Sequence, residues 1–293
     1  MTKHNLLIYS IIFIFLSIIL ISCSTNNEYT KSESELFSEE AATNDDTSSI
    51  ASADIDSTPD NDVGDNDDNA YTNIIVVLET HYIVCIDAGH QQNNDSSTEP
   101  IGPGASESKP KVSAGTCGTI SGVPEYELNL TLAQLLQEAL EDKGYTVVMC
   151  RTQNDVHISN SERAQIANSA GADIFIRIHA NGSGDSSAHG AMTICQTSNN
   201  PYNAELYEES KLLSELILDE LVSSTGCTRE YVWETDTMSG INWSQVPTTI
   251  VEVGYMTNPE EEALLLSDSY QQLIITGLVN GIDKYFIEHS NNK

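Results

Sequence analysis

The sequence predicts an α/β fold, with a single globular domain over residues 81–293. We expect a twisted, mostly parallel central sheet that is flanked by helices on both faces. Two observations lead to this prediction: short apolar runs recur along the chain, and segments with helical periodicity separate them. Strands that alternate with helices pair mostly in parallel and are covered on both sides. The segment shows no internal repeat, and its roughly 200 residues are enough for one core.

The strands are predicted from their apolar runs. The first run, YIVCID at 82–87, has few polar residues and no alternation, which is typical of a strand that is buried on both faces. Four further runs predict strands at 145–149, 173–179, 188–195 and 248–253.

The helices are predicted from the spacing of their apolar residues. The strongest pattern follows Pro124 and ends at Gly144, which suits a C-terminal cap. Its apolar residues recur at spacings of three, four and seven, as on one face of a helix: Leu128, Leu132, Leu135, Leu136 and Ala139. Further helices are predicted at 161–170 and 203–225, and two more between Pro259 and the C-terminus.

The first 23 residues predict a lipoprotein signal peptide. One lysine precedes an almost wholly apolar stretch at 6–21, which then ends in Ser22 and Cys23. A small residue directly before a cysteine resembles a bacterial lipobox, in which the thiol is lipidated and the cysteine becomes the mature N-terminus. An uncleaved signal anchor is the alternative, although the stretch is slightly short for a membrane span. We therefore expect a lipid anchor at Cys23 and a location on the outer face of the bacterial cytoplasmic membrane, within the cell-wall space. Shedding or secretion from there is the alternative.

Residues 24–80 predict an acidic, disordered tether. The segment is dominated by Asp, Glu, Ser, Thr and Asn, and it cannot bury enough apolar area to offset the entropy of ordering. The whole chain has a formal net charge of −32. This charge argues against a nucleic-acid partner, because phosphates require a basic surface. Nothing in the sequence predicts an obligate protein partner.

The six cysteines do not predict a disulfide framework or a structural zinc site. With Cys23 assigned to the lipid, five remain, and an odd number cannot all pair. No two of them have CxxC spacing. Cys85, Cys150 and Cys195 lie in or beside apolar runs, and we expect them to be small buried side chains.

Four polar residues form a candidate active site. His90 follows the first strand, His179 ends the third, Glu252 lies near the end of the last, and Glu125 opens the first helix. Active sites of open α/β sheets collect beyond the carboxyl ends of the strands. Each residue alone has a structural explanation, since a glutamate in a first helical turn complements the helix dipole. Together, two histidines and one glutamate suit a catalytic zinc ion, and a second glutamate suits a proton acceptor. The residues alone therefore predict metal-assisted hydrolysis of an amide or ester.

Four segments, in this order, resemble the zinc-dependent N-acetylmuramoyl-L-alanine amidases, which are bacterial cell-wall hydrolases. They are IVCIDAGH, PEYELNLTLAQLLQEALEDKGYTVVMCR, SERAQIANSAGADIFIRIHANGS and VPTTIVEVGYMTNPEEEALL. The resemblance implies one zinc ion (Zn2+) per chain with the ligands His90, Glu125 and His179, and it implies Glu252 as the catalytic acid and base. Glu127 is a near neighbour that could be confused with Glu125. The implied substrate is peptidoglycan, at the amide between N-acetylmuramic acid and L-alanine.

The chain departs from the family pattern after His90. The family commonly continues with glycine, whereas this chain has Gln91 and Gln92. We expect the segment 91–123, which is rich in Ser, Gly, Pro and Asn, to be a long loop that overhangs the site and bears on substrate access. Two alternatives remain open: another zinc peptidase that cleaves within the stem peptide, and a non-catalytic wall-binding lipoprotein. The presence of all four polar residues argues against the second.

Overall fold

A computed structural model describes residues 82–291 and contains a six-stranded sheet, a separate two-stranded hairpin and helices on both faces of the larger sheet. The strands are β1 (Ile83–Ala88), β2 (Asp95–Pro100), β3 (Ser108–Val112), β4 (Thr146–Met149), β5 (Ile174–Asn181), β6 (Ala191–Cys195), β7 (Arg229–Glu234) and β8 (Thr248–Tyr255). The helices are α1 (Glu125–Asp142), α2 (Asn160–Ala170), α3 (Tyr207–Thr225), α4 (Ser239–Asn242), α5 (Pro259–Leu265) and α6 (Asp268–Asn291). The predicted α/β fold is confirmed.

The predicted signal peptide (1–23), with the predicted lipidation site Cys23, and the whole of the predicted tether (24–80) lie outside the described residues. Within residues 82–291, no helix has the length and apolar character needed to cross a membrane.

The central sheet has the strand order β4-β1-β5-β8-β6-β7 and is mostly parallel. Strand β6 runs antiparallel to β8, and β7 pairs in parallel with β6. The other neighbouring strands are all parallel. Strands β1, β5 and β8 lie in the middle of the sheet and are buried almost throughout. Their position between two helical layers explains their continuous apolar runs.

Helices α1, α3 and α6 cover one face of the sheet and α2 covers the other. The larger core lies on the first face, where Leu132 and Ile217 are fully buried; α1, which carries Leu132, packs on β1 and β5, and α3, which carries Ile217, packs on β6 and β8. On the second face, Phe175 of β5 and Cys85 of β1 pack against α2. Cys85, Cys150 and Cys195 are all buried, as predicted.

The structure differs from the sequence prediction in the hairpin β2–β3, in strand β7, in the short helix α4 and in the start of α3. Segment 91–123 contains the hairpin β2–β3 instead of an irregular loop. Its strands are polar, and the hairpin is held by contacts from outside it: Ser161 donates through its N–H and its hydroxyl to Glu99. Strand β7 was not predicted, because four of its six residues are exposed and its sequence has no apolar run. The helix predicted at 203–225 begins with a 3-10 turn, Ala204–Leu206, before α3.

Candidate active site

The four predicted residues meet at the carboxyl ends of β1, β5 and β8. His90 follows β1, His179 lies on β5, Glu252 lies opposite His179 on β8, and Glu125 is the first residue of α1. One donor atom from each of His90, Glu125 and His179 lies within 4.8 Å of the other two. The sheet and the start of one helix therefore assemble three ligand-type side chains and one further carboxylate.

Glu125 lies between the two histidines. Its Oε1 is 3.1 Å from Nδ1 of His179, and its Oε2 is 3.2 Å from Nε2 of His90. The backbone N–H of Thr116 donates to Oε2, and that of Ala180 donates to Oε1. The Glu125 side chain is 4% exposed. These contacts fix the orientation of the carboxylate between both rings.

The helix register agrees with the assignment of Glu125 instead of Glu127. Glu125 is buried, whereas Glu127 is exposed on the outer side of α1. One turn after Glu125, the side-chain amide of Asn129 donates to Oε1 of Glu125 and to the carbonyl of Gly89. Asn129 thereby links the first turn of α1 to the turn that follows β1, a role that the sequence did not reveal.

His90 has an uncommon backbone conformation that hydrogen bonds maintain. Its φ is 58°, in the left-handed region that few non-glycine residues adopt. Its Nδ1 lies 2.9 Å from the carbonyl oxygen of Ser113, which can only accept, so Nδ1 carries the proton. Nε2 is therefore the atom directed at Glu125. Metal-binding histidines commonly coordinate the ion through one ring nitrogen and donate the N–H of the other to a carbonyl group. His90 has this arrangement, with Nδ1 as the donor.

Gly89 is required by the close approach of His179. A Cβ atom at position 89 would lie 2.3 Å from Cε1 and Nε2 of the His179 ring. The N–H of Gly89 also donates to the carbonyl of Ile178. The turn after β1 and the histidine of β5 are thus in direct contact, and a side chain at position 89 would displace the ring.

A buried ionic network supports the same turn. Asp87, the fifth residue of β1, is fully buried and pairs with Arg163 and Arg177. Burial raises the pKa of Asp87, but the two guanidinium charges outweigh burial and hold that pKa well below its usual range. Arg163 also donates to the carbonyl of His90 and to the side chain of Gln91. Gln91, the departure from the family pattern, is 1% exposed and belongs to this supporting network.

The pKa values of the four site residues shift in different directions. Burial raises the pKa of Glu125, but the neighbouring His90 and His179 outweigh burial and hold it well below its usual range. Burial lowers the pKa of His179 to about 4. Burial also lowers that of His90, but Glu125 outweighs burial and the net shift is upward. Burial, followed by the charge of Glu125, raises the pKa of Glu252 well above its usual range. An ionised Glu125 and a neutral His179 suit ligands, and a carboxyl group with a raised pKa suits an acid and base.

The residues fit a bound metal ion. Among residues 82–291, Nε2 of His179 and Oε2 of Glu252 are buried without a hydrogen-bond partner. Buried polar atoms of this kind are rare and are explained by a function or by a bound group. Two imidazole nitrogens and one carboxylate oxygen form the donor set of hydrolytic zinc sites.

The site opens into a cleft of about 300 Å³. Strand β3 lines it with Lys109, Val112 and their neighbours, and segment 237–240 also lines it. The hairpin thus overhangs the site, as the sequence analysis expected of segment 91–123. Arg177 also lines the cleft and was not among the residues predicted for the site. The available signal was its position two residues before His179, which places both side chains on one face of β5.

Comparison with known proteins identifies the family. A profile of the family described as N-acetylmuramoyl-L-alanine amidase matches residues 84–284, which is more than half of the chain. The chain belongs to the N-acetylmuramoyl-L-alanine amidase family. The predicted membership of the N-acetylmuramoyl-L-alanine amidases and the predicted enzyme class are confirmed, and the amidase domain accounts for most of the described residues.

Relatives of this amidase include characterised and uncharacterised proteins. An uncharacterised Bacillus subtilis protein, YqiI, is 34% identical over 166 residues, which cover 57% of this chain and 76% of YqiI. The Bacillus subtilis amidase LytC is 31% identical over 166 residues, covering 57% of this chain and 32% of LytC. The crystal structure of the Mycobacterium abscessus amidase Ami1 is similar, with a TM-score of 0.64 and 28% identity, covering 70% of this chain and 98% of Ami1.

Proposed function

We propose that this amidase works with one zinc ion per chain and that His90, Glu125 and His179 hold the ion. The observation that carries the proposal is the partly buried cluster of three donors within 4.8 Å of one another. Glu125 is negatively charged, and its carboxylate is available to a cation. His90 donates its Nδ1 proton to the carbonyl of Ser113, so the lone pair on its Nε2 is also available to the cation. Zinc, when bound, supplies a Lewis acid that acidifies water and polarises a carbonyl group.

Glu252 moves the proton in the proposed reaction. Its carboxylate accepts a proton from the water that attacks the lactyl carbonyl of N-acetylmuramic acid. As the C–N bond breaks, Glu252 returns that proton to the departing amine of L-alanine. Its raised pKa brings it closer to the neutral range in which one group can both accept and donate. Its Oε2 has no partner among residues 82–291 and is available for this exchange.

Digestion of purified peptidoglycan tests the bond that is cleaved. An amidase releases stem peptides with new L-alanine amino termini and leaves the number of glycan reducing ends unchanged. A peptidase that acts within the stem would instead expose the amino groups of later residues. New amino termini on residues other than L-alanine would contradict the proposal, as would new reducing ends.

We also propose that the enzyme acts from the outer face of the cytoplasmic membrane, anchored by a lipid on Cys23 and extended by the acidic tether at 24–80. The support comes from the sequence: a basic and apolar leader that ends in Ser22 and Cys23. Replacement Cys23→Ala should move the protein out of the detergent-extracted membrane fraction. The control Cys227→Ala should leave it there. Equal membrane retention of both variants would exclude lipidation at Cys23.

A further inference from the structure

The edge strand β7 carries two large aromatic side chains in solvent. Tyr231 is 54% exposed and Trp233 is 40% exposed. They lie two residues apart, so both point to the same face of the sheet. Val232, between them, packs against the larger core beneath α3, which places the aromatic pair on the opposite face. Exposed apolar groups that lie together mark contact surfaces on a soluble domain.

The face that carries this aromatic pair also carries the catalytic cleft. Trp233 pairs with Ile194 of β6, Ile194 pairs with Ile250 of β8, and Ile250 pairs with Arg177 of β5. Paired residues point to the same face, and neighbouring strands are about 4.8 Å apart. Ile194, Ile250 and Arg177 all line the cleft. The row of side chains that lines the cleft therefore continues directly to Trp233.

Tyr231 lies nearer to Glu252 along the strands than Trp233 does. Met192 of β6 is the cross-strand partner of Glu252. The pairing of β6 with β7 shifts by one residue between the pairs Ala191–Arg229 and Thr193–Val232, so Glu230 and Tyr231 both lie across from Met192. Two strand spacings, about 10 Å, separate β7 from β8. The aromatic pair therefore lies about 10 Å, across one strand, from Glu252, the proposed acid and base.

We propose that Tyr231 and Trp233 bind the sugar chain of peptidoglycan next to the scissile amide. This inference rests on the proposed function, because the substrate of an amidase is attached to that chain. Aromatic rings present large, rigid apolar surfaces on which the C–H faces of sugar rings can pack, while the sugar hydroxyls remain in water. The chain has a net charge of −32, which disfavours anionic wall polymers, whereas N-acetylglucosamine is uncharged.

Tryptophan fluorescence tests sugar binding without any reaction. The chain has two tryptophans, Trp233 and Trp243. In the full-length, metal-loaded variant Trp243→Phe, emission therefore comes from Trp233. Titration with soluble N-acetylglucosamine oligosaccharides should give a saturable change in emission, and adding Tyr231→Ser should weaken the apparent affinity about ten-fold. Constant emission up to the solubility limit of the oligosaccharide would overturn the proposal.

Kinetics on two substrates test whether binding serves catalysis. The double variant Tyr231→Ser, Trp233→Ser should lower kcat/KM about ten-fold on polymeric peptidoglycan, equivalent to on the order of 1.4 kcal/mol. Its kcat/KM on a muramoyl dipeptide without further sugars should not change. Trp233→Phe should retain most of the activity on the polymer, because phenylalanine also offers an aromatic face. Leu264→Ser, which removes an exposed apolar side chain from α5, is the matched control.

The outcomes separate this inference from the proposed function. If the parent protein cleaves neither substrate, the proposed function fails, and the fluorescence titration alone decides on the sugar surface. Equal losses on both substrates in the double variant would overturn the sugar surface. A dimer in sedimentation experiments that disappears in the double variant would also overturn it, because the aromatic pair would then serve pairing between edge strands.

Discussion

Glu252 lies directly opposite His179 in the parallel register of β5 and β8. The two side chains are therefore neighbours on the same face of the sheet. His179 directs Nδ1 at Glu125, 3.1 Å away, whereas Oε2 of Glu252 has no partner among residues 82–291. The pairing therefore places His179, which suits a metal ligand, beside Glu252, which suits a proton carrier.

Replacement Glu252→Gln should remove activity and leave the metal in place. The amide keeps the size of the side chain but cannot accept and return a proton. General acid–base catalysis contributes about 10²–10⁴-fold, so kcat should fall by at least about 100-fold. Zinc content, measured on the same sample, should equal that of the parent protein. Full activity in this variant would show that Glu252 is not the acid and base.

Replacements of the proposed ligands should remove metal and activity together. His90→Ala and His179→Ala each delete a bond to the ion, so both should lower the zinc content. Glu125→Gln should give an intermediate loss, because an amide oxygen can coordinate but has no charge. Glu127→Gln is the control, since Glu127 is exposed two residues away on the same helix. Loss of zinc in Glu127→Gln but not in Glu125→Gln would show that the ligand is assigned to the wrong glutamate.

Gly89→Ala should displace the His179 ring by steric overlap, without removing any polar group from the site. Its new Cβ would be 2.3 Å from the His179 ring, so the ring must move. We expect a lower zinc affinity and a destabilisation of about 1–3 kcal/mol, measured by urea unfolding. Gly184→Ala is the matched control, because a Cβ there meets nothing within 4 Å. Zinc affinity equal to that of Gly184→Ala would mean that His179 is not held by this contact.

Asp87 should contribute to stability in a pH-dependent way. Its pKa in the folded protein lies below the value of about 3.9 expected when unfolded, so its contribution is complete above about pH 5 and is lost as the pH falls. Asp87→Asn leaves Arg163 and Arg177 without their buried partner, and should destabilise the protein at pH 7 by about 3–5 kcal/mol.

The same variant should flatten the acid side of the stability profile. The free energy of unfolding should fall less steeply between about pH 5 and pH 2 than it does in the parent protein. Asp142→Asn, at the exposed end of α1, is the control and should keep the parent slope. A parent-like slope in Asp87→Asn would assign the acid sensitivity to other carboxylates.

The central strands were predictable from sequence because their burial leaves a clear pattern. Strands β1, β5 and β8 have helices on both sides of the sheet, so nearly every residue is buried and apolar residues predominate. The hairpin β2–β3 and the edge strand β7 have no such pattern. Their stability depends on contacts with distant residues, such as the bonds from Ser161 to Glu99, which no local spacing reveals.

The meeting of four polar side chains at the candidate site was predictable from the sequence. Strand ends and the first helical turn located His90, Glu125, His179 and Glu252, and the family resemblance supplied their proposed roles. The supporting residues were not predictable in the same way. Asn129 and Arg163 act through hydrogen bonds to backbone carbonyls of the turn after β1, and those contacts exist only in the folded chain.

Restoration of metal-free protein with measured amounts of zinc tests whether the enzyme depends on one zinc ion. The chelated protein is titrated with zinc, and the release of L-alanine amino termini from peptidoglycan is followed at each addition. We expect no hydrolysis without metal and a linear recovery that ends at one zinc ion per chain. Undiminished hydrolysis by the metal-free protein would contradict this expectation.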